Sequence, residues 1–191
     1  VSWCTMLAAQ SQHGNDLFAI ELFEKMQTEG LEPSNVCFLC ILRSCGNIGA
    51  IQQGKLIHFF LLLQSHESDT VISISALVDM YAKCGHVKEA QKLFDHQRHC
   101  GEISLWGSLI SGYARSGWID PARRCFIDMQ LQGIKPNGLI FTNMMIVCCH
   151  EGLIEEALGY FNLIQNKHGI GPSLEHYGCI VDLLGRLGAL K

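Results

Sequence analysis

Cysteine and histidine are the residues of this chain with the most conspicuous chemical potential. The chain contains 10 Cys and 9 His, and three groups have the spacing of metal or redox sites: Cys37/Cys40, the run 148–150 and "HQRHC" at 96–100. Thiolates and imidazoles are the ligands that zinc prefers. However, no second CxxC follows at zinc-ribbon spacing, and most of the Cys lie in apolar segments, where Cys behaves as a small hydrophobe. We therefore expect reduced, structural thiols, with a metal site or a disulfide framework as the alternatives.

The overall composition is typical of a folded chain and does not indicate a uniformly basic surface. Of the 191 residues, 48% are hydrophobic and 17% are charged, and the net charge is −4. This balance argues against disorder and against a uniformly basic surface for nucleic acid, although it allows a local basic stripe. The longest apolar run, at 56–63, is far shorter than the roughly 18 residues of a membrane span. Because the chain begins with Val, we expect any targeting segment to lie upstream.

Six similar segments follow one another along the chain. In four of them a Gly is followed five residues later by an Ala, at Gly14/Ala19, Gly85/Ala90, Gly117/Ala122 and Gly152/Ala157. Gly49 and Gly188 mark the other two, so these glycines are 32 to 36 residues apart. A Phe stands four residues after each Ala, and three segments close with Gly-x-x-Pro. This periodicity indicates a repeat architecture.

Each segment predicts two antiparallel helices. The Gly ends the first helix in a left-handed conformation, and the Ala and the Phe lie on one face of the second helix, which Gly-x-x-Pro ends. In "WIDPARR", Asp120 is the expected N-cap and Pro121 a first-turn residue. One pair cannot bury its apolar face alone, so stacking must supply the core. The expected fold class is therefore all-α, a right-handed superhelical α-solenoid whose core includes Trp3, Trp106, Met26, Met80 and Met129.

Three phrases identify the type of repeat. "VDMYAKCG" (78–85), "HEGLIEEALGYFN" (150–162) and "EHYGCIVDLLGRLG" (175–188) closely resemble pentatricopeptide repeats, and the alternating lengths resemble the plant array of P, L and S variants. Tetratricopeptide repeats keep a steady period of about 34 residues, which this chain does not. Within one solenoid domain we predict P at 1–34, L at 35–70, S at 71–102, P at 103–137, L at 138–173 and a truncated S repeat at 174–191.

The resemblance implies that single-stranded RNA is read at about one base per repeat. In the family, the fifth residue of the first helix and the last residue of the repeat meet the base edge. The base-reading pairs implied here are Cys4 with Ser34, Ser75 with Glu102, Gly107 with Asn137 and Thr142 with Ser173. Leu39 and Gly178 hold the remaining fifth positions, and we expect Leu39 to read nothing because it has no polar atom. The second position, which sandwiches the base in the family, holds Val1, Val36, Ile72, Ser104, Leu139 and Glu175.

A second set of residues recurs where each first helix ends. These positions hold Gln12, Asn47, Lys83, Arg115, His150 and Arg186. The resemblance implies that the three cations, Lys83, Arg115 and Arg186, contact the RNA backbone, where phosphate contacts carry much of the affinity. The alternative is that a cation at a helix C-terminus only complements the helix dipole. Both roles remain open at this point.

The function that the resemblance implies is sequence-selective binding of single-stranded organellar RNA, most narrowly for cytidine-to-uridine editing in a mitochondrion or chloroplast. Editing-complex proteins are a further class of partner, whereas we expect neither a membrane nor DNA. The zinc deaminase signature needs H-x-E and Pro-Cys, and this sequence contains neither. We therefore expect no catalytic residue, metal or cofactor in this segment, although a deaminase domain could follow it. A protein-binding solenoid and a non-reading spacer are the alternatives.

Overall fold

The structure, a computed structural model, describes residues 3–64, 70–166 and 169–186, in which helices are the only regular secondary structure. None of the described helices is both long and apolar enough to cross a membrane. The helices are α1 Trp3–Gln12, α2 Asp16–Thr28, α3 Asn35–Ile48, α4 Ile51–Gln64, α5 Thr70–Lys83, α6 Val87–Gln97, α7 Ile103–Arg115, α8 Ile119–Leu131, α9 Gly138–Glu151, α10 Ile154–Asn166 and α11 Leu174–Arg186.

The chain divides into two compact units, which we call unit 1 (Val1–Cys100) and unit 2 (Gly101–Lys191). In unit 1, α1 packs on α2 and α3, α3 packs on α4 and α5, and α5 packs on α6. In unit 2, α7 packs on α8 and α9, and α9 packs on α10 and α11. Within each unit, the first helices α1, α3, α7 and α9 each contact their own second helix and the next first helix, which is the neighbour-to-neighbour packing of a solenoid. The predicted all-α solenoid class is confirmed.

Glycine ends the first helices, as the sequence predicts. Gly49 follows α3 with φ +71°, and its backbone N–H donates to the carbonyl of Cys45; Gly152 follows α9 in the same way with φ +70°. An L-residue would bring its Cβ too close to the backbone in this conformation, whereas glycine adopts it at no steric cost. These turns reverse the chain between the two helices of a pair.

Small residues let the helices approach each other. Ala19, Ala90, Ala122 and Ala157 are all completely buried. In α4 the corresponding residue is Gly54, and a Cβ built there would lie 2.5 Å from Sδ of the buried Met80, so the Met80 side chain fills the place of the missing methyl group. Met26 and Met129 are also buried, and so is Trp106, whereas Trp3 is only half-buried. The predicted core residues are confirmed, except that Trp3 is only partly enclosed.

The predicted start of α8 was wrong by two residues, because the sequence predicts Asp120 as the N-cap and the structure has Trp118 there. The helix begins at Ile119, because the Ala122 N–H donates to the carbonyl of Trp118 at 3.1 Å and makes Trp118 the N-cap. Asp120 therefore lies inside the first turn, where its carboxylate pairs with Arg123 rather than capping the helix. A carboxylate at this position still interacts favourably with the helix dipole.

Candidate nucleic-acid interface

A cleft of about 440 Å³ opens between α9 and α11 of unit 2. Its lining residues are Thr142, Ile146, Cys149, His150, Glu175, Gly178, Cys179, Asp182 and Arg186. Two of them, Thr142 and Gly178, are predicted fifth positions, and Glu175 is a predicted second position. His150 and Arg186 come from the ends of the two first helices. The structure thus brings together five of the positions that the sequence singled out for RNA.

The reader pair Thr142 and Ser173 belongs to one hydrogen-bond network. The Thr142 hydroxyl donates to the carbonyl of Gly138 at 3.1 Å, and His176 Nε2 lies 2.9 Å from the same oxygen. His176 Nδ1 accepts from the Ser173 backbone N–H at 2.8 Å and lies 2.9 Å from Ser173 Oγ. Ser173 is exposed, and Thr142 lines the cleft. The network thus joins Thr142, a largely buried residue in the wall of the cleft, to Ser173 at the exposed start of α11.

The pair Gly107 and Asn137 is asymmetric. Gly107 is buried in α7, where an added Cβ would lie 3.8 Å from Ile140 Cγ1, an ordinary van der Waals distance. Asn137 is exposed and is the N-cap of α9, because its Oδ1 accepts from the Ile140 N–H at 3.0 Å. This cap holds the amide in one orientation. Asn137 thus supplies the only polar side chain of its pair, because Gly107 has no side chain and is buried.

In the pair Cys4 and Ser34, the cysteine is held in a disulfide bond. Cys4 in α1 is bonded to Cys37 in α3, and the Ser34 Oγ lies 3.2 Å from Cys4 Sγ and 3.4 Å from Cys37 Sγ. Because sulfur in a disulfide carries no hydrogen, the Ser34 hydroxyl is the donor in both contacts. The expectation of free thiols was wrong for these two cysteines, since stacking of α1 on α3 brings residues from neighbouring repeats within bonding distance.

The pair Ser75 and Glu102 is split between the two units. Ser75 is half-buried in α5 of unit 1, and Glu102 stands at the N-cap position of α7 in unit 2 with an extended backbone. Asp or Ser at this position commonly caps a helix, but no side-chain capping bond from Glu102 reaches the described part of α7. Val1 and the side chain of Ile72, both predicted second positions, lie outside the described residues, as does the side chain of Thr70, the last residue of repeat 35–70.

The three predicted backbone cations differ in their partners. Lys83 Nζ pairs with Asp79 Oδ2 at 2.7 Å and lies 3.4 Å from Asn47 Oδ1. Arg186 Nε pairs with Asp182 Oδ2 at 2.8 Å. Arg115 is exposed, and no ion pair joins it to another described residue. Arg115 is therefore the predicted cation whose charge is not already neutralised by a neighbouring carboxylate.

Five of the eight remaining cysteines are buried, as expected of structural thiols. Burial raises the pKa of Cys148 to about 12 and that of Cys149 to about 11, and the Cys149 thiol donates to the carbonyl of Cys179. The thiolate is the metal-binding and nucleophilic form, so burial suppresses both chemistries. Within the described ranges, no three His, Cys, Asp or Glu residues are grouped to hold a metal ion.

Two polar contacts between helices were not predicted from the sequence. His176 is 2% exposed and joins α11 to α9; the pattern Ser-x-x-His resembles a capping box with His in place of Glu, which was the available signal. Arg123 and Glu156 form a two-bond ion pair between α8 and α10, and Tyr160 donates to Glu156 Oε1. The bonds from Arg123 lower the pKa of the Glu156 carboxyl. Nothing in the local sequence marks this pair.

Family models and curated relatives match the sequence of this chain. The "PPR repeat" model matches residues 72–96, 104–134 and 139–168, and the "Pentatricopeptide repeat domain" model matches residues 1–48. The chain is 38% identical over its full length to "Pentatricopeptide repeat-containing protein CRR2, chloroplastic" from Arabidopsis thaliana, of which it covers 29%. It is 37% identical over its full length to "Pentatricopeptide repeat-containing protein At3g53360, mitochondrial" from the same plant, of which it covers 25%.

Solved structures show the same fold. PPR10 from maize superposes with a TM-score of 0.69 and 22% identity over 98% of this chain and 27% of that one. The PPR domain of Arabidopsis thaliana PRORP1, solved in complex with tRNA, superposes with a TM-score of 0.64 and 14% identity over 95% of this chain and 96% of that domain. The family models together match more than half of the chain, and this chain belongs to the pentatricopeptide repeat family.

Proposed function

We propose that this chain binds single-stranded RNA as the reading segment of a longer organellar RNA-processing factor, and that cytidine-to-uridine editing is the process it guides. The observation that carries the proposal is the cleft between α9 and α11. Among the residues that line this cleft are Thr142 and Gly178, two predicted fifth positions, together with Glu175 and Arg186. Recognition of single-stranded RNA combines hydrogen-bonding side chains with basic side chains along a groove.

The comparisons support RNA as the ligand. PPR10 from maize has been solved in complex with an 18-nt psaJ RNA element, with a TM-score of 0.69 to this chain, and the PRORP1 domain was solved with tRNA. Relatives named chloroplastic or mitochondrial support an organelle as the location. The chain spans only about a quarter of the length of these relatives, so the transcript, the P, L and S repeat types and the editing step are all part of the proposal.

A salt titration tests the proposal. The chain is titrated into a labelled pool of random single-stranded RNA at several salt concentrations, with DNA of matched length as the control. We expect binding to RNA whose affinity falls steeply with salt, because neutralised phosphates release counterions. We expect weaker binding to DNA, because the 2′-hydroxyl is missing. Negligible affinity for RNA at low salt would contradict the proposal.

One observation favours the alternative of a protein-binding solenoid. Helix α4 exposes Leu56, Phe59, Leu62 and Leu63 by more than half of their surface, and contiguous exposed apolar surface often marks a protein contact. On this alternative, an apolar helix of an editing-complex protein would cover α4. The salt titration is therefore repeated with the double variant Leu56→Gln and Phe59→Gln. This variant should bind RNA as the unmodified chain does if RNA is the ligand and the cleft is its site.

A further inference from the structure

The two sulfurs of the Cys4–Cys37 disulfide differ in how easily another molecule can reach them. Cys37 in α3 is completely buried, whereas Cys4 in α1 is only half-buried. The first turns of both helices carry no acidic side chain, so these turns place no like charge in the way of an approaching thiolate. Thiol–disulfide exchange proceeds by attack of a thiolate on one of the two sulfurs. In this disulfide, the sulfur open to attack is therefore Cys4 Sγ.

The buried sulfur is placed where a departing thiolate is stabilised. Cys37 is the third residue of α3, and the backbone N–H groups of a first helical turn favour a negative charge. The Ser34 Oγ lies 3.4 Å from Cys37 Sγ, so its hydroxyl can donate to a thiolate there and replace the water that burial excludes. A thiolate stabilised in this way leaves a disulfide faster. Cys37 is therefore the better leaving group of the two.

The other cysteines that meet between neighbouring first helices lack these features. Cys84 Sγ donates to the carbonyl of Cys45 at 3.6 Å, and Cys149 Sγ donates to the carbonyl of Cys179 at 3.2 Å. Burial raises the pKa of Cys45 to about 12 and that of Cys149 to about 11. Both lie in the last turn of their helices, where the helix dipole disfavours a negative charge. These four cysteines are free thiols, and their surroundings suppress the reactive thiolate form.

We propose that Cys4 and Cys37 form a thiol–disulfide exchange site for a dithiol protein of the thioredoxin class, with Cys4 as the sulfur attacked and Cys37 as the leaving thiolate. The first thiolate of the reductant bonds to Cys4 Sγ as the Cys4–Cys37 bond breaks, and the electron pair goes to Cys37 Sγ. The second thiolate of the reductant then attacks the reductant's own sulfur in this mixed disulfide and displaces Cys4. Cys4 and Cys37 take up the two protons that the reductant loses, and the reductant ends as a disulfide.

The reverse reaction can close the bond again. The Cα atoms of Cys4 and Cys37 are 5.4 Å apart, a normal separation for a disulfide, so re-oxidation requires no movement of the backbone. A low-molecular-weight disulfide such as oxidised glutathione accepts the two electrons and leaves as two thiols. Because α1 and α3 belong to successive helix pairs, the bond links these pairs covalently. The exchange site thus determines whether the first pair is held by a covalent bond or by packing alone.

The test is to trap the mixed disulfide on the full, folded chain. The oxidised chain is mixed with a thioredoxin whose second active-site cysteine is replaced by serine, so that the reaction stops after the first attack. Peptide mass spectrometry should locate the adduct on Cys4. With unmodified thioredoxin, Ser34→Ala should slow reduction about threefold, because part of one hydrogen bond to the leaving thiolate is lost. Ser34→Thr keeps the hydroxyl and should keep the rate, and Ser116→Ala, an exposed serine far along the chain, is the matched control.

Four outcomes would overturn the inference. They are an adduct on Cys37, an unchanged rate for Ser34→Ala, a disulfide that thioredoxin reduces only after the chain is unfolded, and ten free thiols in a chain treated with oxidised glutathione, which would be all of its cysteines. The inference does not depend on RNA binding. Each of these results would therefore leave the proposed function intact, and a chain that binds no RNA could still react at Cys4.

Discussion

The start of α3 in unit 1 and the start of α11 in unit 2 solve the same structural problem with different chemistry. Each helix follows an N-terminal Ser, Ser34 or Ser173, whose side chain contacts the third residue of the helix. In unit 1 that third residue is Cys37, which is bonded to the predicted reader Cys4. In unit 2 it is His176, which reaches the Gly138 carbonyl by a hydrogen bond. Both tie one first helix to the next.

The difference between the two junctions lies in what remains for a ligand. The disulfide occupies the sulfur of Cys4. The predicted reader pair Cys4 and Ser34 therefore keeps only the Ser34 hydroxyl, which donates to sulfur. The imidazole of His176 forms only hydrogen bonds, so the hydroxyl oxygens of the predicted reader pair Thr142 and Ser173 are not covalently blocked. The third residue of a first helix thus affects which atoms of the preceding predicted reader pair stay available for hydrogen bonds.

Breaking the covalent junction should destabilise unit 1. Reduction of Cys4–Cys37, or the double change Cys4→Ala with Cys37→Ala, should lower the free energy of unfolding by about 2–4 kcal/mol, because the disulfide restricts the unfolded chain. Hydrogen exchange read by peptide should show faster exchange in α1 and α3 but not in α9 and α11. Titration of the oxidised, denatured chain should find the eight free cysteines of the structure. Equal exchange with and without reductant would contradict the disulfide.

The non-covalent ties of unit 2 should depend on pH instead. Glu156→Gln should lower the free energy of unfolding by about 1 kcal/mol at neutral pH, a modest value because both partners are partly exposed and solvent screens them. Arg123 lowers the pKa of Glu156 in the folded state. The ion pair therefore stabilises the protein above the ordinary carboxyl pKa, and this contribution is lost as the pH falls through the lowered folded value.

Chemical unfolding at several pH values measures this effect. The difference between the unmodified chain and Glu156→Gln should shrink in acid, with Glu155→Gln, an exposed neighbour, as the control. A difference that stayed constant with pH would show that the carboxylate charge is not what stabilises the tie.

The start of α9 provides a third junction, in which neither a disulfide nor an imidazole fixes the last residue. Asn137 caps α9 through Oδ1, and its third helical residue is the apolar Ile140. Asp also caps helices well, so Asn137→Asp should fold normally while replacing an amide that donates and accepts by a group that only accepts. We expect preference at one nucleotide to move from adenine towards guanine.

The size of that shift should be about 1 kcal/mol, below or at the low end of a good bidentate base contact, because Gly107 offers no second anchor. Binding to four RNAs that differ at that nucleotide measures it, with Gly107→Ala as a companion that should stabilise α7 without a new polar group. An unchanged ranking of the four RNAs would mean that this repeat reads no base and would support the spacer alternative.

The smallest expected effect distinguishes Lys83 of unit 1, which pairs with Asp79, from the exposed Arg115 of unit 2. Arg115→Gln should reduce the slope of log affinity against log salt by about 0.7, the value for one phosphate contact on a single strand. Lys83→Gln should change the slope less, because Asp79 already neutralises the ammonium. Arg124, on the second helix α8, is the matched control. Equal slopes for all three variants would favour the helix-dipole role.

Much of the fold could be predicted because its signals are local. In four segments, a glycine after the first helix, an alanine in the helix contact and a phenylalanine one turn later act through backbone conformation and side-chain volume within a few residues. Gly49, Gly152, Ala90 and Ala122 accordingly lie where the sequence places them. The start of α8 was missed by two residues, because local preference favours Asp120 as the N-cap whereas the folded chain has Trp118 at that position.

The sequence by itself determined the repeat architecture and the family, and it predicts the positions from which an RNA base would be read. Only the tertiary structure decided what those positions can do. Cys4 and Cys37, Gly138 and His176, and Arg123 and Glu156 are each separated by more than 30 residues, and each pair meets only when one repeat packs on the next. Hydrogen-bond direction and disulfide formation depend on contacts within a few ångströms. A repeat pattern specifies which residues face a neighbouring repeat, but packing sets the distances at which their atoms bond.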